Sequence, residues 1–186
     1  MIGFAMCGSY CTHAEALRQL RCLIEAGESV LPIMSENVYT TDTRFGTARA
    51  LCEQVETLCG RPIVHTVTGA EPLGPMTPLE ALLICPCTGN TLACMANGIT
   101  DTAVKMAAKA HLRTDRPLII ALATNDALSA NLPNIGTMLC RRSVYFVPMR
   151  QDDPEGKPHS LVACFDMVLP TLAAARRGER IHKLFV

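Results

Sequence analysis

The chain has few of the aromatic residues on which nucleic-acid-binding surfaces stack bases. Tryptophan is absent, and aromatic residues make up only 4% of the 186 residues. There is no excess of charge either, because 17 basic residues are balanced by 17 acidic residues. We therefore expect neither a basic surface for nucleic acid or an anionic membrane nor a stacking platform for bases.

Long hydrophobic runs are also missing, although 49% of the residues are hydrophobic. No run approaches the roughly 18 apolar residues that a membrane-spanning helix needs. The N-terminus lacks a basic segment before its short apolar run, so it is read as a strand and not as a secretion signal. We therefore expect a cytoplasmic protein with a single domain over residues 1–186 and a sizeable core.

The ten cysteines lack the spacing of a metal or redox site. Cys85 and Cys87, in "CPCTGNT", are separated by one residue, and Cys94 adds at most a third ligand where a structural zinc site needs four. Thiol redox chemistry usually shows C-x-x-C, and disulfide frameworks belong to short chains with poor cores. The sequence therefore predicts no metal, and thiols that pack as small hydrophobic side chains.

Short apolar runs alternate with helical patterns along the chain. The predicted strands are residues 1–7, 30–34, 62–67, 81–85, 117–123 and 144–147. A final helix is predicted over residues 160–177, kinked or restarted at Pro170. Continuously apolar strands separated by helices indicate parallel βαβ units with both sheet faces covered. The predicted fold class is α/β, a doubly wound, mostly parallel six-stranded sheet with helices on both faces.

The loops after the predicted strands are the places to look for a ligand, because doubly wound sheets bind ligands at the carboxyl ends of their strands. In "CGSYCT", the amides of Gly8 and Ser9 and the start of a helix suit a phosphate. A plain strand-to-helix turn is the alternative. The loop is not G-x-G-x-x-G, so a mononucleotide fits better than a dinucleotide. Ser35 adds a hydroxyl or an ordinary helix cap.

The loop "CPCTGNT" is more informative in its polar residues than in its sulfurs. Pro86 gives a rigid turn, and Thr88, Gly89, Asn90 and Thr91 bring amide and hydroxyl groups together just before a helix. This composition favours a turn that faces a ligand.

The longer stretch "ICPCTGNTLACMANGITD" resembles the P-x-T-x-N-T loop and following helix of the homo-oligomeric flavin-containing cysteine decarboxylases and their relatives. The resemblance implies a Rossmann-like flavoprotein fold, self-association and FMN as cofactor. In that family the loop contacts FMN, the turn at Gly8 and Ser9 matches the phosphate-binding turn, and Thr124-Asn125 stand where a second flavin loop has Met-Asn. The predicted cofactor contacts are Gly8, Ser9, Ser35, Pro86, Thr88, Asn90, Thr91, Thr124 and Asn125.

One departure from the family concerns its catalytic histidine. By spacing from Asn90, the corresponding position is Glu71 or Pro72. His65 is nearby in sequence but falls in the predicted third strand, where a packing role is the simpler interpretation. The departure argues against decarboxylation and affects flavin binding less.

A narrower resemblance covers almost the whole chain. The ordered motifs "TTDTRFG", "AEPLGPMTPL", "TNDAL" and "VYFVPMRQDDPEGKPHSLVA" are similar to the B-subunit family of dipicolinate synthases. This resemblance implies oxidation of a dihydrodipicolinate precursor to pyridine-2,6-dicarboxylate during sporulation, with an A subunit as partner. NAD or NADP is then expected through the A subunit, in keeping with the missing dinucleotide fingerprint.

The implied substrate is a small dicarboxylate, so a cation is expected in the site. Arg44 is the candidate, because a guanidinium grips a carboxylate with two parallel hydrogen bonds. A contact with Asp42 or solvent is the alternative. Lys157 and His159 belong either to a lid or to a solvated loop. No catalytic residue is assigned.

Two other functions remain open from the sequence. One is an independent FMN-dependent decarboxylase or flavin-modifying transferase. The other is a non-catalytic partner or activator of the A subunit, because binding loops can persist after chemistry is lost.

Overall fold

β-Strands and α-helices alternate along most of the chain in the computed structural model, which describes residues 1–186. The strands are β1 (Ile2–Met6), β2 (Val30–Met34), β3 (Ala81–Cys87), β4 (Leu118–Thr124), β5 (Val144–Phe146), β6 (Met149–Arg150) and β7 (Leu161–Ala163). The helices are α1 (His13–Glu25), α2 (Glu36–Thr40), α3 (Ala48–Cys59), α4 (Val67–Ala70), α5 (Gly89–Ala96), α6 (Ala103–Leu112), α7 (Leu132–Leu139) and α8 (Val168–Arg176).

Five parallel strands form the main sheet in the order β2-β1-β3-β4-β5. Every residue of β1 and β3 is buried, as expected for strands covered on both faces. Buried side chains form two clusters of 25 and 23 residues, which pack helices against the two faces of the sheet. The predicted doubly wound α/β fold class is confirmed.

The sheet has seven strands and not six: five of the predicted strands are present, and a two-stranded hairpin joins the far edge of β4. The first part of β4 pairs with β5 from Leu118 to Ile120. Its last residues, Ala123 and Thr124, pair with the antiparallel strand β7, which in turn pairs with β6. The hairpin therefore extends the sheet only at the carboxyl end of β4.

The predicted third strand, residues 62–67, is wrong. Only Val64 pairs with the sheet, in an isolated bridge to Ile33 of β2. Pro62 has no amide hydrogen to donate, and the Thr66 hydroxyl accepts the amide of Gly69 at 3.1 Å and so begins helix α4. The backbone leaves the sheet edge after one pairing.

The predicted helix over residues 160–177 is also wrong in its first half. That half forms β7 and a 3₁₀ turn, Phe165–Met167, and α8 begins only at Val168. Pro170 produces no kink, because it lies in the first turn of α8, where amides have no partner within the helix.

The cysteines are all free thiols, but Cys11 and Cys140 are exposed and do not pack as the small hydrophobic side chains that the sequence predicts. Cys85 and Cys87 are fully buried, and burial raises the pKa of both thiols well above the ordinary value. No three histidine, cysteine, aspartate or glutamate side chains are grouped so as to hold a metal ion. No helix combines the length and the apolar character that crossing a membrane requires.

Leu83 tests the core packing, because it is fully buried in the central strand β3. We expect Leu83→Ala to lower the free energy of unfolding by about 2–5 kcal/mol through lost burial and the cavity left behind. Ile99, which is 48% exposed, is the control, and Ile99→Ala should cost less than about 1 kcal/mol. Equal losses in urea denaturation would contradict the buried position of β3.

Candidate functional site

The carboxyl ends of β1, β3 and β4 meet at one cleft of about 650 Å³. The loop 41–47 and the β6–β7 hairpin form its other walls. Seven of the residues predicted from the sequence line this cleft: Gly8, Ser9, Arg44, Thr88, Asn90, Thr124 and Asn125. The structure thus brings together residues that lie up to 117 positions apart, counted from Gly8 to Asn125.

Three other predicted residues lie behind the surface of the cleft. Pro86 does not form the predicted turn, because β3 continues to Cys87; it is buried within the strand, and its carbonyl accepts the amide of Cys7 at 3.1 Å. Thr91 is buried and donates its hydroxyl to the Cys7 sulfur at 3.4 Å. Ser35 is buried at the end of β2, with its amide bonded to the carbonyl of Met6. Their positions suit a role in shaping the loops around β1.

The turn after β1 presents unpaired amides to the cleft. The amides of Gly8 and Ser9 make no hydrogen bond within the chain. The Thr12 hydroxyl donates to the Ser9 carbonyl at 2.8 Å, and Nε2 of the buried His13 donates to the Cys7 carbonyl at 2.8 Å. These bonds fix the turn while its amides remain free for an anion.

The start of α5 forms the second side of the cleft. The Thr88 hydroxyl accepts the amide of Thr91 at 3.1 Å, so the helix begins at Gly89. The amides of Gly89 and Asn90 then have no partner in the helix. The Asn90 side chain is exposed and keeps both of its amide hydrogens free.

Asp126, which directly follows Thr124-Asn125, also lines the cleft. Its carboxylate accepts the Thr124 hydroxyl and, at 2.9 Å on each oxygen, the amide nitrogen of Asn131. The Thr124 hydroxyl is the main cause that lowers the pKa of Asp126, with Asn131 contributing further, so the carboxylate is ionised at neutral pH. Nothing in the sequence marks the Asp126–Asn131 pairing in advance, apart from its five-residue spacing in a polar loop.

Gly89 permits this carboxylate to contact the start of α5. A Cβ atom at position 89 would lie 2.5 Å from Thr124 Oγ1, 2.6 Å from Asn131 Nδ2 and 2.8 Å from Asp126 Oδ1. No side chain larger than hydrogen fits there without displacing the polar cluster. Gly89 therefore joins the loop after β3 to the loop after β4.

The loop 41–47 forms a tight turn beside the cleft. Thr43 and Gly46 exchange backbone hydrogen bonds of 3.0 and 3.1 Å, and the Arg44 guanidinium lies 4.8 Å from the centre of the Phe45 ring. Asp42 accepts the amide of Ala48 at 2.8 Å, and no hydrogen bond or ion pair joins it to Arg44, so the alternative Arg44–Asp42 contact is not formed. Arg44 is exposed and has no carboxylate partner.

The hairpin wall supplies two charged residues, Asp152 and Lys157, of which Lys157 was expected from the sequence in a lid or a solvated loop. Lys157 Nζ lies 2.9 Å from Asp152 Oδ2, and both line the cleft. Lys157 is the first cause that lowers the pKa of Asp152. The buried hydroxyl of Ser160 donates to the Thr124 carbonyl at 3.3 Å and links the hairpin to β4.

No histidine lines the cleft. His65 is half-buried, packs edge-on against Tyr39 with ring centres 3.7 Å apart, and borders a separate cavity of about 340 Å³. Glu71 is exposed after α4 and does not reach the cleft either. The packing role expected for His65 agrees with this contact.

Comparison with known proteins supports the resemblance drawn from the motifs. The sequence profile of the family described as Flavoprotein matches residues 2–135. The B subunit of dipicolinate synthase from Bacillus subtilis (strain 168) is 38% identical over 185 residues, which cover 100% of this chain and 92% of that protein.

Two solved structures extend the comparison. The crystal structure of the B subunit of dipicolinate synthase from Bacillus halodurans C is 40% identical, with a TM-score of 0.91 over 100% of this chain and 95% of the other. A dodecameric FMN-dependent UbiX-like decarboxylase from Escherichia coli O157:H7 is 20% identical, with a TM-score of 0.60 over 80% of each chain. The second likeness shows a shared fold alone.

Gly89→Ala tests the contact between the two loops. We expect the new methyl group to displace Thr124 and Asp126 and to lower the free energy of unfolding by about 1–3 kcal/mol. Gly136 is the matched control, since it is also helical and a Cβ there meets nothing within 4 Å. Gly136→Ala should stabilise the protein by up to about 1 kcal/mol. If both variants changed the free energy of unfolding in the same direction, the contact would be contradicted.

His13 makes the turn after β1 sensitive to acid. Burial lowers its pKa, as it does that of His111, so below about pH 6.5 the unfolded chain binds protons before the folded protein does. The stability that depends on the neutral imidazoles should be fully present above about pH 6.5. It should decline as the pH falls towards their lower pKa values in the folded protein.

We expect His13→Gln, which keeps an amide donor for the Cys7 carbonyl, to flatten the fall in melting temperature between about pH 7 and pH 5.5. His182 is exposed, and His182→Gln is the control that should leave the fall unchanged. An identical pH dependence in His13→Gln and the wild type would exclude His13 as the cause.

Proposed function

The chain belongs to the flavoprotein family, and on that basis we propose that it acts as the flavin-binding B subunit of a dipicolinate synthase. The observation that supports this most is the cleft at the carboxyl ends of β1, β3 and β4. The 38% identity to such a B subunit along the whole chain supports the same assignment and a single domain over residues 1–186.

The residues of the cleft fit FMN in kind and in size. The volume of about 650 Å³ lies within the range of roughly 300–1,000 Å³ common for cofactor sites. The unpaired amides of Gly8 and Ser9 would hold the phosphate. The polar groups of Thr88, Asn90 and Asn125 would orient the rest of the cofactor, with Ser35, Pro86 and Thr91 supporting the loops from behind.

When bound, FMN supplies a two-electron acceptor, which oxidation of a dihydropyridine dicarboxylate to pyridine-2,6-dicarboxylate requires. Arg44 would bind a substrate carboxylate, because its guanidinium has no carboxylate partner in the chain. Asp126 offers a fixed, ionised hydrogen-bond acceptor beside it in the cleft. The A subunit would supply NAD or NADP as the next electron acceptor, since this chain has no dinucleotide fingerprint.

An independent decarboxylase is disfavoured by the residues that line the cleft. The related decarboxylases use a histidine, and here neither His65 nor Glu71 reaches the cleft. No observation favours a non-catalytic scaffold over a protein that binds flavin, because the amides at Gly8 and Ser9 remain free.

We further propose that the protein works in the cytoplasm during sporulation, as a homo-oligomer paired with an A subunit. The E. coli relative with the shared fold is dodecameric. Met76 and Phe185 are exposed by 82% and 51%, and an interface would remove such apolar side chains from water.

The direct test is to titrate the purified chain with FMN and to assay dipicolinate formation with and without its A subunit. We expect a shifted flavin absorption spectrum and full activity only when both subunits are present. Full activity of this chain alone would refute the proposed need for an A subunit. An unchanged FMN spectrum would refute the cofactor assignment.

Asn90→Asp tests the role of the exposed amide at the start of α5. We expect FMN affinity to fall at least about tenfold, because a carboxylate cannot donate the hydrogen bond that an amide donates. Asn97→Asp is the control for the added charge. Asn97 lies at the other end of α5, away from the cleft, where its amide donates to the carbonyl of Ala93. Equal FMN affinity of the Asn90 and Asn97 variants would remove Asn90 from the site.

A further inference from the structure

The β6–β7 hairpin is attached to the sheet only where the sheet borders the cleft. Its pairing with β4 consists of Ala123 with Val162 and Thr124 with Leu161. Thr124 is itself part of the cleft. The tip of the hairpin, residues 151–160, therefore lies against the flavin-site residues.

The tip is a fixed turn and not a loose loop. Gln151 Nε2 donates to the Pro158 carbonyl at 2.8 Å, and the Lys157 amide donates to the Asp153 carbonyl at 2.7 Å. The amide of Leu128 donates to the His159 carbonyl at 3.0 Å and ties the tip to the loop after β4. These bonds fix the backbone from which the Lys157 side chain extends.

Lys157 is held only weakly by its partner in the chain. Its side chain is 55% exposed and that of Asp152 is 36% exposed, and water screens ion pairs of this kind. A ligand carboxylate can therefore replace Asp152 on the ammonium group. The other carboxylate of the cleft, Asp126, is occupied by Thr124 and Asn131 and does not compete for Lys157.

A second cation stands on a different wall of the same cleft. Arg44 is carried by the tight turn Thr43–Gly46, lies over the Phe45 ring and has no carboxylate partner. Phe45 also lines the cleft and is 55% exposed, so its ring offers an apolar surface beside the guanidinium. Two cations on separate loops match a ligand with two separated anionic groups.

We propose that Arg44 and Lys157 form a two-point clamp for a planar dicarboxylate, each cation binding one carboxylate. This assignment rests on the proposed function, because it places the substrate in the cleft that also holds the flavin-site residues. Lys157 would exchange Asp152 for the ligand, which makes Asp152 a competitor that weakens binding of a second carboxylate. The clamp selects dicarboxylates over monocarboxylates, while flavin binding depends on other residues.

The test uses the full chain saturated with FMN, and the probes are pyridine-2,6-dicarboxylate and pyridine-2-carboxylate, measured by calorimetry. Lys157→Gln should weaken binding of the dicarboxylate at least about tenfold and leave the monocarboxylate unaffected. Lys157→Arg should retain most of the affinity, because the charge is kept. Asp152→Asn should tighten dicarboxylate binding by removing the competitor.

Lys109 provides the matched control, since it is an exposed cation that does not line the cleft. Lys109→Gln makes the same change of charge and should alter neither affinity, and FMN affinity should be equal in all these variants. If the wild type binds the dicarboxylate and Lys157→Gln binds it equally well, the clamp is wrong and the proposed function stands. If the FMN-saturated wild type does not bind the dicarboxylate, both the clamp and the proposed substrate are wrong.

Discussion

The contact between Gly89 and the Asp126 carboxylate is the constraint on which the arrangement of the cleft depends. The start of α5 lies so close to the loop after β4 that a methyl group at position 89 would not fit between them. Asn131 and Thr124 hold the carboxylate in place, so the two loops have one relative position. The free amides of α5 and the exposed Asn125 side chain thereby face the same space.

Around that contact, two kinds of chemical group line different parts of the cleft. The turn after β1 and the start of α5 offer backbone amides, which suit a phosphate and a polar ring. The loop 41–47 and the hairpin tip offer side-chain cations, which suit carboxylates. In the proposed function, the sheet edge holds the cofactor and the two peripheral loops select the substrate.

Regular features of the sequence predicted the regular part of the structure well. The parallel strands and most helices follow from apolar runs and helical spacing, and the loops after β1, β3 and β4 were identified because parallel strands end at one edge. The strand predicted over residues 62–67 is wrong because an apolar run does not show how many of its residues pair with the sheet. Here only Val64 does. The hairpin was not predicted because β6 and β7 have only two and three residues, which are too few for a periodic pattern.

The site was predictable to the extent that it lies directly at strand ends. Asp126 lies just after β4, but Asp152 and Lys157 reach the site through a long-range contact, the pairing of β7 with β4, which local spacing does not report. The most direct measurement of the central claim is a crystal structure of the protein grown with FMN. We expect the phosphate within hydrogen-bonding distance of the Gly8 and Ser9 amides and the ring system in the cleft beside Asn90. Flavin bound in another cavity, with these amides left free, would contradict the account.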